Sequence, residues 1–283
     1  MAPIGSFLKR FFRLALLLSL GGCVSMATDR MAGNISSAML NQSDPEIVRS
    51  GAPAYLLLLD SFIEDDPQDQ NLLYAGARLY GAYAGGLVED PSRKANLMSK
   101  AFDYAQRGLC PKAADLCAAR SQPFDSFAQV LSRQSAEEIQ GIYLYATSWA
   151  GWIQTHSEDW NALAELPKVE ALLGWVVERE PGYEQGRAQL YLGVIRSQVP
   201  ATLGGNPERG RAHFEAAIQY SQGHDLIAKV EFARHYARLV FDQPLHDRLL
   251  NEVIEADPVY PGLTLSNVMA QQQAASLLQE NYF

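Results

Sequence analysis

The chain has 283 residues, with 23 Lys and Arg against 32 Asp and Glu, a formal net charge of −9. An acidic surface repels phosphate backbones, which argues against nucleic-acid binding. Hydrophobic residues make up 48% of the chain, and its length suffices for one large domain or a repeat array with a substantial core.

At the N-terminus Lys9, Arg10 and Arg13 precede the apolar run 14–20, and Gly21-Gly22 lead into Cys23. That order predicts a secretory signal peptide over 1–22, because the run is too short to span a bilayer. Leu20-Gly21-Gly22-Cys23 resembles the lipobox of bacterial lipoproteins, whose cysteine is acylated and begins the mature protein. An ordinary signal peptide with an unrelated cysteine is the alternative. Loss of the signal leaves 20 Lys and Arg against 32 Asp and Glu, a net −12. Val24, not Asp, follows the cysteine, so nothing argues for inner-membrane retention. The expectation is a lipid-anchored protein on the periplasmic side, at the outer membrane rather than the inner. Residues 23–43 form an anchored N-terminal segment and 44–283 the folded domain. No later run is long and apolar enough to cross a membrane.

Strand signals are nearly absent from the remainder. Apolar residues recur at helical spacing and predict helices near 29–42, 45–50, 53–65, 69–87, 91–107, 123–132, 136–156, 160–179, 182–198, 207–221, 225–241, 245–256 and 264–280. Asp44-Pro45 and Asp90-Pro91 read as N-caps followed by a first-turn proline, and Ser135 with Glu138 as a capping box. Cys110 and Cys117 are an isolated, close pair, which in an exported protein reads as a local disulfide. Its small loop stabilises the fold by roughly 2.5 kcal/mol on the loop-entropy account.

Helix endings repeat. Phe62-Ile63-Glu64-Asp65-Asp66-Pro67 matches Val176-Val177-Glu178-Arg179-Glu180-Pro181 and Val253-Ile254-Glu255-Ala256-Asp257-Pro258. The prolines lie 114 and 77 residues apart, three and two units of about 38. Ala77-Arg78-Leu79-Tyr80 with the segment 101–106 parallels Ala188-Gln189-Leu190-Tyr191 with 217–222. A fixed period in this range predicts an all-α fold of tetratricopeptide-like helical hairpins stacked into a single α-solenoid, since one hairpin cannot bury its own apolar face.

No constellation of catalytic residues stands out, and no cofactor or metal is expected. His156, His213, His224, His235 and His246 include no pair at i, i+4, and no H-E-x-x-H occurs. The segment 204–210 is glycine-rich but lacks Gly-Lys-Ser/Thr and falls between helices, so it reads as a loop. Tyr145, Trp149, Trp152 and His156 form a second stripe on a helix that already carries an apolar face. Tyr191, His235 and Tyr236 add aromatic groups on neighbouring helices. Core packing is one account of them. A mostly apolar ligand pocket built from Tyr145, Trp149, Trp152, Tyr191 and Tyr236 is the other.

Short motifs in a fixed order carry a further likeness. They include Cys23 after its signal, the segment 51–60, Leu79-Tyr80-x-Ala82-Tyr83-Ala84, Trp149-Ala150-Gly151-Trp152-Ile153 with Asp159-Trp160, and Leu190-Tyr191-Leu192-Gly193. Ala228-Lys229-Val230, His235-Tyr236-Ala237-Arg238, His246-Asp247-Arg248-Leu249-Leu250 and Pro261-Gly262-Leu263-Thr264-Leu265-x-Asn267 complete the series. In this order the chain resembles the T component (TatT type) of tripartite ATP-independent periplasmic (TRAP) transporters. The resemblance implies a helical-repeat lipoprotein that forms a homotrimer and docks a periplasmic solute-binding P component. It also implies a small, hydrophobic or amphipathic organic ligand and no catalytic residues. A general tetratricopeptide scaffold for envelope assembly is the competing reading. A helical hydrolase would need two close carboxylates in a pocket.

Overall fold

The computed structural model describes residues 34–198, 200–203 and 205–283. The expected signal peptide, Cys23 and the start of the N-terminal segment lie outside them. Contacts divide the chain into Met1–Ala38 and Met39–Phe283, and the second unit holds the helical array. Among the described residues every regular element is helical, and none is long and apolar enough to cross a membrane.

Residues 34–40 are helical and precede α1 (Pro45–Asp65), α2 (Gln70–Leu87) and α3 (Pro91–Leu109). Two short helices come next, α4 (Ala114–Ala119) and α5 (Phe124–Ser132). Then come α6 (Ile139–Thr155), α7 (Trp160–Leu163), α8 (Leu166–Arg179), α9 (Arg187–Arg196) and α10 (Pro207–Tyr220). The helix α11 begins as Ile227–Glu231 and widens into the π-helical turn Phe232–Ala237. The last two are α12 (Gln243–Glu255) and α13 (Thr264–Gln279).

The hairpins are α2/α3, α6/α8, α9/α10 and α11/α12, each packed on the next. Pro67, Pro181 and Pro258 come after α1, α8 and α12, so two of the three repeated endings close a hairpin's second helix, α8 and α12, and the first closes α1, which leads into the α2/α3 hairpin. The two segment pairs matched in sequence form hairpins α2/α3 and α9/α10. Their alanines, Ala77, Ala101 and Ala105 in one and Ala188 and Ala217 in the other, are buried where the helices meet. Three apolar clusters succeed one another along the array. The first is built around Leu59, Ile63 and Leu73, the second around Trp149, Phe127 and Leu173, the third around Phe214, Leu250 and Ala274. That succession is the nearest-neighbour core of a solenoid. The last helix also returns to the first. Leu265 and Met269 of α13 pack on the first cluster, and the Gly262 amide donates to Asn41 Oδ1 at 2.8 Å.

Aspartates open the helices as expected. Asp44 accepts from the Glu46 amide and Asp90 from the Arg93 amide at 2.7 Å. Four boundaries differ from expectation. Helices 45–50 and 53–65 are one, continuing through Pro53. Proline removes the bond to the carbonyl four residues back, which belongs to Arg49. Tyr83 Oη donates to that carbonyl at 3.2 Å from α2, so the orphan acceptor is satisfied. The expected helix 160–179 breaks after Leu163 and resumes at Leu166, with Pro167 in its first turn. The expected helix 182–198 starts only at Arg187, because Glu184, Gln185 and Gly186 all have positive φ (49°, 58° and 83°). The loop 110–117 is closed by its disulfide as expected, but it also holds the start of α4, which the sequence pattern does not predict.

Candidate functional site

Two assemblies gather the polar and aromatic chemistry of the array. The first is a cage around a cation. Arg120 lies just beyond α4 at the end of the stapled segment, where Cys110 and Cys117 are bonded (S–S 2.07 Å). Its guanidinium lies 4.7 Å from the Phe102 ring, 4.8 Å from Trp149 and 5.7 Å from Trp152. Arginine over aromatic faces is attracted by the ring quadrupoles. Glu165, at the entry to α8, closes the cage, accepting from Arg120 Nη2 and from Trp149 Nε1, both at 2.9 Å. Tyr145 stacks on Phe102 at 5.4 Å, and its hydroxyl is buried with no partner among the described residues. Burial pushes the Tyr145 pKa up to about 12. Trp152 stacks on His156 at the outer edge, 4.6 Å between ring centres.

The second assembly is a polar seam running along the first helices of successive hairpins. Arg78 on α2 pairs with Glu184 at 2.8 Å. Tyr183 meets Tyr143 of α6 edge-on at 5.2 Å. The ion pair and the ring contact hold the left-handed turn 184–186 in place, a conformation L-residues other than glycine adopt only under such constraint. Arg187 of α9 is bonded to both oxygens of Asp225, at 2.9 and 3.3 Å, and reaches Ser266 of α13 at 3.4 Å. Burial works against the Arg187 cation, but Asp225 together with Tyr143 and Tyr191 holds its pKa above the ordinary value. Further along, Arg234 bridges Glu231 at 2.7 Å and Gln273 at 2.8 Å. Each guanidinium of the seam thus has a carboxylate partner, and five elements are tied together across it.

Of the sequence-derived pocket residues, Tyr145, Trp149 and Trp152 come together in the cage. Tyr145 and Trp149 are fully buried there, and Trp152 is half-buried. Tyr191 packs at the edge of the same central cluster, within reach of the charges of Arg187 and Asp225 in the seam. Tyr236 sits apart in the third cluster, its hydroxyl donating to Glu208 at 2.6 Å. The residues sequence reasoning passed over are charged: Arg120, Glu165, Arg78, Arg187 and Asp225. Their ion-pair partners lie 38 to 106 residues away, beyond the reach of any local pattern. Apart from these assemblies, a groove of about 230 Å³ lies between the start of α1, the end of α2 and α13, lined by Arg49, Leu87, Met269 and Gln272 among others.

The search of curated proteins gives no significant match. The family model described as TRAP transporter T-component matches residues 41–283. That span takes in all thirteen helices named above, and the chain belongs to the TRAP transporter T-component family.

Proposed function

We propose that the protein is a non-enzymatic, lipid-anchored accessory subunit of a TRAP transporter. It docks a periplasmic solute-binding protein and assists uptake of a small, largely apolar organic ligand. The observation that carries the reading is the family match over 41–283, which ties the chain to TRAP transport. The stacked-hairpin architecture supports it, since such arrays serve as binding surfaces. So does the sequence Leu20-Gly21-Gly22-Cys23 behind an apolar run, with acylation at Cys23 placing the domain on the periplasmic side of the outer membrane. The working form in this reading is a homotrimer. Tyr145, Trp149, Trp152, Tyr191 and Tyr236 remain the proposed aromatic groups for ligand contact, with Trp152 and Tyr191 the two that are not fully covered.

The test is direct. The protein carrying Cys23→Ser is mixed with the purified solute-binding protein encoded beside the TRAP membrane subunits, and binding is followed by calorimetry. The reading predicts a saturable complex. Absence of binding at 100 μM of each partner contradicts it.

A further inference from the structure

At the C-terminal end of α11 the chain turns through a left-handed residue into α12. The Asp242 amide donates to the Ala237 carbonyl at 2.9 Å and the Phe241 amide to the Arg238 carbonyl at 3.2 Å. That pair of bonds is a Schellman motif, whose left-handed position is ordinarily glycine. Here the position is Phe241, at φ 56°. The Cβ of an L-residue is strained in that region, and glycine removes the strain. Yet the phenylalanine is 74% exposed, so its ring does not compensate by filling the core. A residue strained at its backbone and exposed at its side chain directs attention to the surface around it.

Tyr282 (46% exposed) lies 6.4 Å from the Phe241 ring, and Phe283 (39% exposed) lies 5.2 Å from Tyr282. Val240 adds an exposed aliphatic side chain beside them. The patch is built rather than loose. Arg238 stacks beneath Tyr282 at 4.6 Å, and Phe283 packs on buried His246 at 5.0 Å. Carboxylates edge it: Asp242 follows Phe241 and caps α12 at the Leu245 amide, Asp247 is bonded to His246, and Glu280 is paired with Arg238, so the first two carry the rim's uncompensated charge. Arg238, only 11% exposed, is matched by Glu280 at 2.8 Å. Rigid aromatic anchors inside a polar rim are the anatomy of an interface hot spot.

We infer that Phe241, Tyr282 and Phe283 form the docking surface for the solute-binding protein, which meets it with an apolar socket rimmed by lysine or arginine. The charge of the rim selects such a partner, and Phe241 is its central anchor. This inference rests on the docking reading given under the proposed function.

The test uses the Cys23→Ser protein with and without Phe241→Gly. Glycine suits the left-handed turn, so the melting temperature should hold or rise. Affinity for the purified solute-binding protein should fall at least ~30-fold, the loss expected of a hot-spot anchor. Tyr282→Ala should weaken binding in the same direction, and raising NaCl from 50 to 500 mM should weaken the parent complex. If Phe241→Gly and Tyr282→Ala both bind as the parent does, this surface is not the dock, while the docking reading stands. If the parent does not bind, the docking reading fails and the inference falls with it. If Phe241→Gly instead dissociates a homo-oligomer of the parent and leaves the complex intact, the occupant is a second copy and the inference is overturned.

Discussion

Asp60 is the residue whose replacement tests the packing argument most sharply. It stands in the apolar stretch of α1 with its side chain 14% exposed. Its two oxygens accept from Tyr80 and Tyr104, each at 2.6 Å, and from Lys100. One carboxylate therefore joins α1, α2 and α3. Burial raises its pKa, but Lys100, Tyr104 and Tyr80 outweigh that and hold it below the usual carboxylate value. In Asp60→Asn the amide oxygen keeps one side of the site, while the amino group on the other loses the charge-assisted bond and can meet only a tyrosine hydroxyl turned round to accept, never the Lys100 ammonium. A charge-assisted bond contributes about 1.5–3 kcal/mol. Lys100 is 39% exposed, so its share is set at about 0–1 kcal/mol. The expected loss is about 2–3 kcal/mol at pH 7, or about 5–10 °C in melting temperature. The pH dependence comes from the lowered pKa. The stabilisation is fully present above the unfolded pKa of about 4 and disappears as pH falls through the folded value. Urea titrations followed by tryptophan fluorescence should show a gap between parent and variant that closes on acidification below about pH 4. A loss under about 1 kcal/mol at pH 7, or a gap unchanged at low pH, refutes the reasoning.

Other expectations rest on single contacts. Replacing both Cys110 and Cys117 by serine should cost roughly 2.5 kcal/mol in urea midpoint-derived stability, with the parent under reducing conditions matching the variant. Glu165→Ala strips the acceptor from Arg120 and from the Trp149 indole, and should cost about 2–4 kcal/mol and shift the tryptophan emission of the folded protein. Gly193→Ala places a Cβ 2.8 Å from the Phe214 ring at the α9/α10 crossing, so it should destabilise by about 1–3 kcal/mol despite alanine's better helix propensity. A neutral or stabilising result there would mean the hairpin can open without cost. Tyr83→Phe leaves the Arg49 carbonyl without its donor and should cost about 1 kcal/mol, with faster amide exchange in the turn around Pro53.

The hairpin array is legible in the sequence because its determinants are local. Apolar spacing, Asp-Pro openings and repeated proline endings each act within one helix or its cap. The features that escape depend on distant residues. Proline at 53 reads as a stop until Tyr83 is brought to the Arg49 carbonyl from another helix. The late start of α9 is set by Glu184 reaching Arg78, 106 residues earlier in the chain. The aromatic stripe on α6 is visible in the sequence, but whether it lines a pocket or fills the core depends on Phe102 and Arg120, which come from elsewhere. Asp60 carries a signal of its own, since a carboxylate between Leu59 and Phe62 has to find donors. The glycine of Leu190-Tyr191-Leu192-Gly193 has a physical reason too, because Phe214 lies against it.

The central claim is that this repeat array serves a transporter by holding its solute receptor. The most direct measurement is calorimetric titration of the Cys23→Ser protein with the purified solute-binding protein encoded beside the TRAP subunits, with the mass of the complex read by light scattering. The account predicts saturable binding and a mass that is the sum of three copies of this chain and the receptors they hold. A monomer that releases no heat and gains no mass would contradict it.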